Sequence, residues 1–480
     1  VRLSCAAGVA LLAGTAACID FDQLLGNCYD GGWCSPPLDA GTRDGGADAG
    51  AGCQAVCLDG GGLQTCGPDG GAVTACALGC SEAGAPHCRQ FVPTGIATLA
   101  DLSVAGVASV ALDAGVALFN TDTGAINGAL SRAPNVVFSN QEVLSGIGFH
   151  QTGDGGVFSF ASLTIPSGAI LQIYGSTPAA LAASGDITVD GLIDVRPMDA
   201  TGQVCAPGTG GAGGGQGGAG GSGIPPFLGG LSGGGPGAGG GGSRKANGTV
   251  GGGGGGAGHG ADGGLPSQGS DAYGPGLAGL AYGSPALVPF WGGSGGGGGG
   301  QPGAVGGGGG GAVQLVSASV VTVGNAASPG GVHAGGCGGL GSATGAGGGS
   351  GGTILIEAPT VQLAAQCVLA ANGGGGGNTN GDAGQDGTFD AGIAYGAGSA
   401  LFQLQGGNGG AGNTPGGGTA IPIGPPGPPI NATSDGNGGG GAAGLIRINT
   451  PSGAPSIHPN VVISPTLSSG AASIGTSPTQ

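Results

Sequence analysis

Lysine and arginine are scarce: eight of them stand against twenty-five acidic residues, which gives a formal net charge of −17. A surface of that sign repels phosphate backbones and offers no basic stripe, so nucleic acid is excluded as a partner. Charged residues make up only 7% of the chain and aromatics 4%. The carboxylates, lysines and large rings that build most active sites and thick cores are therefore missing. Histidines are few and scattered: His87, His150, His259, His333 and His458 fall in no nucleophile, zinc or acid–base pattern, and a surface or turn role is expected for each. No apolar run reaches about 18 residues without a glycine, so no membrane-spanning helix is expected. These absences point away from an enzyme and from any cofactor.

What is abundant is glycine, 129 of 480 residues, against a usual share of about 7%. Backbone behaviour must then dominate the account. At the amino terminus, Val1-Arg2 followed by LSCAAGVALLAGTAAC reads as an export signal over residues 1–17. The run Leu12–Cys18 resembles a bacterial lipoprotein signal, which implies Cys18 as the candidate site of lipidation; Thr15 stands where that family usually has Leu, so ordinary cleavage after Ala17 is the alternative. Residues 18–52 read as a tether, ending in the Asp-Ala-Gly-rich linker PPLDAGTRDGGADAGAG.

Residues 53–90 carry Cys53, Cys57, Cys66, Cys76, Cys80 and Cys88 in an acidic, glycine-rich segment that has little apolar surface to bury. This spacing in an exported chain predicts a module held by three disulfides, with Cys28 and Cys34 as a further pair. Connectivity stays open, since six cysteines allow fifteen arrangements. The repeated C-x3-C at Cys53/Cys57 and Cys76/Cys80 also admits zinc, but an oxidising compartment removes the thiolates it needs and only His87 lies nearby.

From Phe91 the composition turns ordinary, and residues 91–180 alternate Val, Leu, Ile and Phe with small or polar residues, which predicts short β-strands. Residues 181–480 hide a weak repeat between glycine runs: LAASGDITVDGLIDV from Leu181, LVSASVVTVGNAA from Leu315, LIEAPTVQLAAQCVLAANGG from Leu355 and RINTPSG from Arg447. Short strands separated by turns predict a mainly β fold, a β-solenoid-like stack with a thin continuous core and long glycine-rich loops.

Runs of six glycines at 251–256, 295–300 and 306–311 admit two readings. One is a disordered linker, since glycine loses the most backbone entropy on ordering. The other is polyglycine II packing: extended threefold helices, rising about 3.1 Å per residue without internal hydrogen bonds, whose backbones bond sideways to one another. The direct joins at GGGAVQLV, GGSGGTILIE and GGAAGLIRI pin the loop ends to strands and favour the second. Tyr273, Tyr282, Phe290 and Trp291, in the interrupting stretch 265–291, are expected to form a cap or local cluster.

These segments resemble predicted glycine-rich lipoproteins of Gram-negative bacteria, of the myxobacterial type, for which no function is established. The likeness rests on the Cys18 signal, the Asp-Ala-Gly spacer, the cysteine module ending at HCRQFVPTG, SLTIPSGAILQIYG, GGGSGGTILIEAP and AANGGGGG. The glycine runs are more distantly similar to the polyglycine sandwiches of some phage tail-fibre adhesins and insect antifreeze proteins, a likeness of packing only.

Three rival chemistries have candidate residues. A polysaccharide-cleaving solenoid would use Asp186, Asp190, Asp194, Arg196 and Glu357, the three aspartates sharing one strand parity. Calcium would use Asn378, Asn380, Asp382, Asp386 and Asp390, although the EF-hand spacing and its terminal Glu are absent, and an ordinary solvated loop is the expectation. Ice binding would need regular threonine arrays, which the sequence does not display. The composition favours an exported protein of the outer membrane or cell surface, structural or adhesive. Its expected contacts are the membrane through the lipid anchor, and cell-surface glycans or extracellular matrix; a carbohydrate-binding or carbohydrate-cleaving solenoid is the alternative.

Overall fold

Short runs in which every second residue is a branched apolar one can bury only one narrow stripe each, and a stack of such runs is the arrangement that joins the stripes. The computed structural model describes residues 54–59, 61–66, 71–248, 250–268, 274–399, 404–420 and 435–480, and within them the chain winds into a three-faced parallel β-solenoid. The first coil comprises Gly156–Phe160, Ser162–Ile165 and Ala169–Tyr174. The second comprises Ala179–Ala183, Ile187–Val189 and Leu192–Asp194. The third comprises Ala312–Ser317, Val320–Val323 and Gly330–His333. The fourth comprises Thr353–Glu357, Thr360–Leu363 and Cys367–Ala370, and the fifth Leu445–Thr450, Ser456–Ile457 and Val462–Ser464. Equivalent strands pair in parallel to give sheets of eight, six and seven strands, here faces 1, 2 and 3.

Face 2 shows why the register holds. Leu163, Ile187, Val321 and Val361 stack in one column and Ile165, Val189, Val323 and Leu363 in another, all buried in the core, while Thr164, Thr188, Thr322 and Gln362 form the column that faces outward. A slip by one residue would exchange the columns and expose the core. Face 1 is buried on both sides, so its strands set apolar residues on either side, interrupted by polar ones such as Gln314, Glu357 and Asn449. Phe91, Ile96, Ala97 and Leu102 cover its outer side together with Leu287 and Phe290.

Two expectations from the repeats need correction. Leu181 faces Leu315, but Leu315 faces Ile356 and Leu355 faces Arg447, so the second and third copies align one residue away from the sequence pattern. No boundary separates 91–180 from 181–480 either: strands on both sides of it pair directly on every face. Ahead of the solenoid, the small disulfide module holds the antiparallel strands Val56–Cys57, Gly62–Gln64 and Val73–Ala75. Cys57 bonds Cys80 and Cys76 bonds Cys88, and Cys66 is also disulfide-bonded, so the described cysteines of the module offer no thiolate for zinc. Cys18, Cys28, Cys34 and Cys53 lie outside the described residues.

The glycine tracts leave the solenoid at the corner between faces 3 and 1, within residues 195–311, 334–352 and 371–444, and their described residues are ordered against one another. Residues 295–300 sit at the centre of the pattern. Gly295 and Gly298 donate to the carbonyls of Gly234 and Leu231, Gly296 and Gly299 to Gly307 and Ala304, and Gly297 and Gly300 to Gly255 and Gly252. Their carbonyls and those just before them accept in the same rotation: Gly293, Gly296 and Gly299 from Gly215, Gly218 and Gly221; Gly295 and Gly298 from Gly239 and Gly242; Ser294 and Gly297 from Ser350 and Gly347. Each third residue meets the same neighbour, as a threefold helix requires, and the tract is ringed by others on all sides.

Only glycine fits there. A Cβ on Gly295, Gly297 or Gly298 would lie 1.9–2.0 Å from a carbonyl oxygen of an adjacent tract. Ordering one residue costs roughly 1–2 kcal/mol, whereas a hydrogen bond returns a net of roughly 0.5–1.5 kcal/mol. A single tract would therefore stay unfolded, and order depends on the shared bonds, on Cα–H to carbonyl contacts and on the fixed ends. The disulfide between Cys205 and Cys337 adds a further tie between two of the outgrowths across 132 residues of chain.

The Gly297→Ala variant should lower unfolding stability by about 1–3 kcal/mol or more, the usual penalty of overpacking. Gly416→Ala, whose added Cβ meets nothing closer than 3.7 Å, should stay within about 0.5 kcal/mol of the parent. Denaturant unfolding of the two side by side is the measurement.

Candidate interaction surfaces

Polar side chains that the solenoid turns outward are gathered at three places, each then covered by another part of the chain. On face 1, Glu357 is fully buried and its carboxylate is encircled: Gln314 Nε2 donates at 2.8 Å, Asn449 Nδ2 at 2.8 Å and the Thr94 amide at 3.0 Å, with the Thr94 hydroxyl a further donor. Gln314 in turn accepts from the Ala97 amide at 2.9 Å. This ladder fastens the covering segment 91–102 to coils three, four and five. Every oxygen lone pair has an internal use, as a buried carboxylate demands.

On face 3, Asp194 and His333 are adjacent in register. Asp194, 1% exposed, takes a bidentate bond from Arg196 at 3.0 and 2.7 Å, and the pairing raises the guanidinium's already high pKa against the burial that opposes it. His333 Nε2 bonds to the Gly387 carbonyl at 2.9 Å, and its ring leans on Phe389. The third cluster joins bundle to solenoid: His259 stacks on Tyr282 with ring centres 4.5 Å apart, and its Nδ1 bonds to the Gly351 carbonyl at 2.7 Å. Tyr282 Oη donates to the Gly292 carbonyl at 2.6 Å and accepts from Ser294 at 3.0 Å, while Thr353 donates to the Trp291 carbonyl at 2.6 Å.

Of the five candidates for polysaccharide cleavage, Asp194 and Arg196 meet in the ion pair just described, and the other three lie apart. Asp186 and Asp190 flank the face-2 strand of the second coil, Asp194 lies on face 3, and Glu357 is sealed beneath the segment 91–102 on face 1. Their shared parity fails because the chain turns a corner between Asp190 and Asp194. The calcium candidates are likewise spread along one tract. Asn378 bonds to Asp382 at 2.9 Å, Asp386 accepts from the Gly338 amide at 2.9 Å and Asp390 from the Gly392 amide at 2.7 Å. The Asn378 and Asp390 oxygens serve local turns, whereas Asp386 ties its tract to the neighbouring one at Gly338. Cys205, Cys337 and Asp386 also lie close together, but the two sulfurs are already bonded to each other and offer no thiolate.

Two histidines depart from the expected surface role. His259 and His333 are 1% and 3% exposed, which glycine-rich neighbours gave no periodic pattern to foretell. Of the expected aromatic cluster, Tyr282 and Trp291 meet around His259, Phe290 joins the cover of face 1, and Tyr273 lies outside the described residues. The threonine column at 164, 188 and 322 was hidden for another reason: Thr322 comes from a coil set apart from the first two by the long insert 195–311.

What remains open to other molecules is the skin of the bundle and its flanks. Leu228 and Leu231, 62% and 63% exposed, lie three residues apart on one tract, and Leu277 and Leu280, 77% and 71% exposed, do so on another. A threefold helix turns residues at that spacing to the same side. Tyr395 and Trp291 are 60% and 43% exposed. A cleft of about 470 Å³ opens between the disulfide module and the solenoid, lined by Leu78, Arg89, Phe91, Leu99, Leu102 and Val320. No helix among the described residues is long and apolar enough to cross a membrane. The chain matches no known protein family, no curated protein and no solved structure.

The buried histidines set a pH dependence. Burial pushes both His259 and His333 down from 6.5 to about 4, the Arg196 charge adding to the effect at His333. The unfolded chain therefore binds more protons between those values, so stability is fully present above about pH 6.5, falls as pH drops toward about 4 and levels off below. The unfolding midpoint should fall across that window, and His259→Gln should flatten part of the slope. Denaturation followed at half-unit pH steps measures it.

Proposed function

We propose that this is an exported, surface-displayed structural or adhesive protein that carries out no catalysis. The observation that supports this reading best is the glycine bundle itself: its interior is hydrogen-bonded backbone, so the tracts spend almost no reactive side chains and yield a stiff body with a broad outer skin. That skin carries leucines and single aromatics, a composition suited to contact. Display follows from the signal-like residues 1–17 and the lipid-anchor candidate Cys18, which would place the molecule on the outer membrane or cell surface. Glycans or extracellular matrix are the partners such a surface would meet.

Disruption of the gene in the producing cell should weaken surface adhesion, envelope integrity or matrix cohesion, scored together by attachment assays, detergent sensitivity and matrix staining. Unchanged values in all three would remove the reading. Release of reducing sugar from a polysaccharide panel by the purified chain would move it to the carbohydrate-cleaving class instead. Cys18→Ser should shift the chain from the membrane to the soluble fraction.

A further inference from the structure

The side chains around the buried carboxylate of Glu357 stand in an order that hydrogen bonding alone does not require. Thr94 turns both its amide and its hydroxyl to Glu357, the hydroxyl donating to Oε1 at 2.5 Å. The same oxygen accepts from Asn449 Nδ2 at 2.8 Å, and that nitrogen lies 3.2 Å from the Thr94 hydroxyl oxygen. On its other side the Asn449 carboxamide is held by Arg447, whose Nε donates to Oδ1 at 2.8 Å. The guanidinium is itself fixed by Nη1, which donates to the Pro285 carbonyl at 2.6 Å. A cation on the oxygen and a carboxylate on the nitrogen settle which way this amide points.

Distant parts of the chain bring these atoms together. Glu357 and Asn449 are register partners on adjacent strands of face 1, and Arg447, two residues before Asn449, shares its side of the strand. Thr94 arrives on the covering segment 91–102. Gly95 lets that segment press close, since a Cβ there would lie 2.5 Å from Gln314 Cδ, and Gln314 is pinned between the Ala97 amide and Glu357. Glu357 and Gln314 are fully buried and Asn449 is 1% exposed, so bulk water is kept from the carboxamide carbon.

We propose that Thr94 and Asn449 become joined by an ester bond formed within the folded chain. The Thr94 hydroxyl oxygen attacks the side-chain carbonyl carbon of Asn449, and Glu357 Oε1 takes the hydroxyl proton as general base. Negative charge then develops on Asn449 Oδ1, beside the guanidinium of Arg447, a donor already in place. The tetrahedral adduct collapses by breaking its bond to Nδ2; Glu357 Oε1, within reach of that nitrogen, hands over the proton, and ammonia leaves. A C–N bond is exchanged for a C–O bond, nothing is oxidised or reduced, and no outside reactant enters. Escape of ammonia into solvent and exclusion of water from the product preserve the ester. Each molecule reacts once on itself and turns over no substrate, so the step is independent of the surface role proposed above. The link spans 355 residues of sequence, ties the covering segment to coil five and closes most of the solenoid and bundle into one covalent ring.

Trypsin supplies the test, because it cuts after Arg89, Arg132 and Arg447 and frees residues 90–132 and 448–480, neither of which holds a cysteine. From the folded full chain, reduced and denatured before digestion, the two should emerge as one species whose mass is their sum less one ammonia, about 17 Da. Dilute hydroxide should split it and return 448–480 about 1 Da heavier, with Asp in place of Asn449. Glu357→Gln should slow linking at least about a hundredfold, the usual worth of a general base. Thr94→Val should abolish the link and Thr94→Ser should retain it, and this pair decides if Glu357→Gln fails to fold. Separate peptides 90–132 and 448–480 from the folded wild-type chain would overturn the proposal. So would a link that persists in Thr94→Val, or a loss of ammonia confined to an Asn–Gly step such as Asn127–Gly128, where a cyclic imide forms without Thr94.

Discussion

A glycine amide bonded sideways to the carbonyl of a neighbouring tract is the interaction on which the rest of this structure depends. It gives little on its own, because the residue that makes it also loses the most freedom. Two conditions turn the sum favourable. Each tract in the interior bonds in three directions by turns, and most tracts are gripped at one end by a strand of the solenoid. Either condition removed, the remaining bonds would fall short of the ordering entropy. Bundle and solenoid should therefore unfold with strong coupling, and damage in the middle of a tract is felt at the coil that anchors it.

The same dependence explains where the few polar side chains went. Glu357, Asp194, His259 and His333 are buried at seams: between face 1 and its covering segment, between face 3 and the outgrowths, and between bundle and core. A fully bonded buried polar group fixes one arrangement of the parts around it, because any other leaves it unsatisfied. In a molecule whose tracts are chemically almost identical, such groups supply the register that glycine cannot encode. Their disposition is that of fasteners, with each donor and acceptor turned toward another part of the same chain.

Much of the fold was legible in the residues, and the limits are instructive. The columns Leu163–Ile187–Val321–Val361 and Ile165–Val189–Val323–Leu363 come from a period of two that survives any insertion between coils. The joins at GGGAVQLV and GGSGGTILIE told that the glycine runs had fixed ends. What stayed hidden depends on pairing across long separations. The slip between Leu315 and Leu355 is invisible when both flanking residues are apolar. The Cys205–Cys337 bond joins two lone cysteines from different inserts, and the eye goes to the crowded module before residue 90. Burial of His259 and His333 depended on which tract lies beside which, information that repeated glycine does not carry.

That last information is carried by the strands. The tracts 304–311, 346–352 and 436–444 lead directly into the face-1 strands of coils three, four and five, and they lie side by side in that order and in parallel: Gly307 donates to Gly347 and Gly310 to Ser350, then Gly348 to Gly439 and Gly351 to Ala442. The tracts 334–341 and 371–377 follow face-3 strands of coils three and four, and they too are parallel neighbours, Gly336 donating to Asn372 and Gly339 to Gly375. Strand order in the sheets thus becomes row order in the bundle. A sheet spaces its strands about 4.7–4.9 Å apart, so tracts issuing from adjacent strands begin within hydrogen-bonding reach of one another. The solenoid therefore acts as the template that tells otherwise indistinguishable glycine segments where to lie, and the remaining tracts, such as 215–221 and 251–257, fill in against the rows it has set.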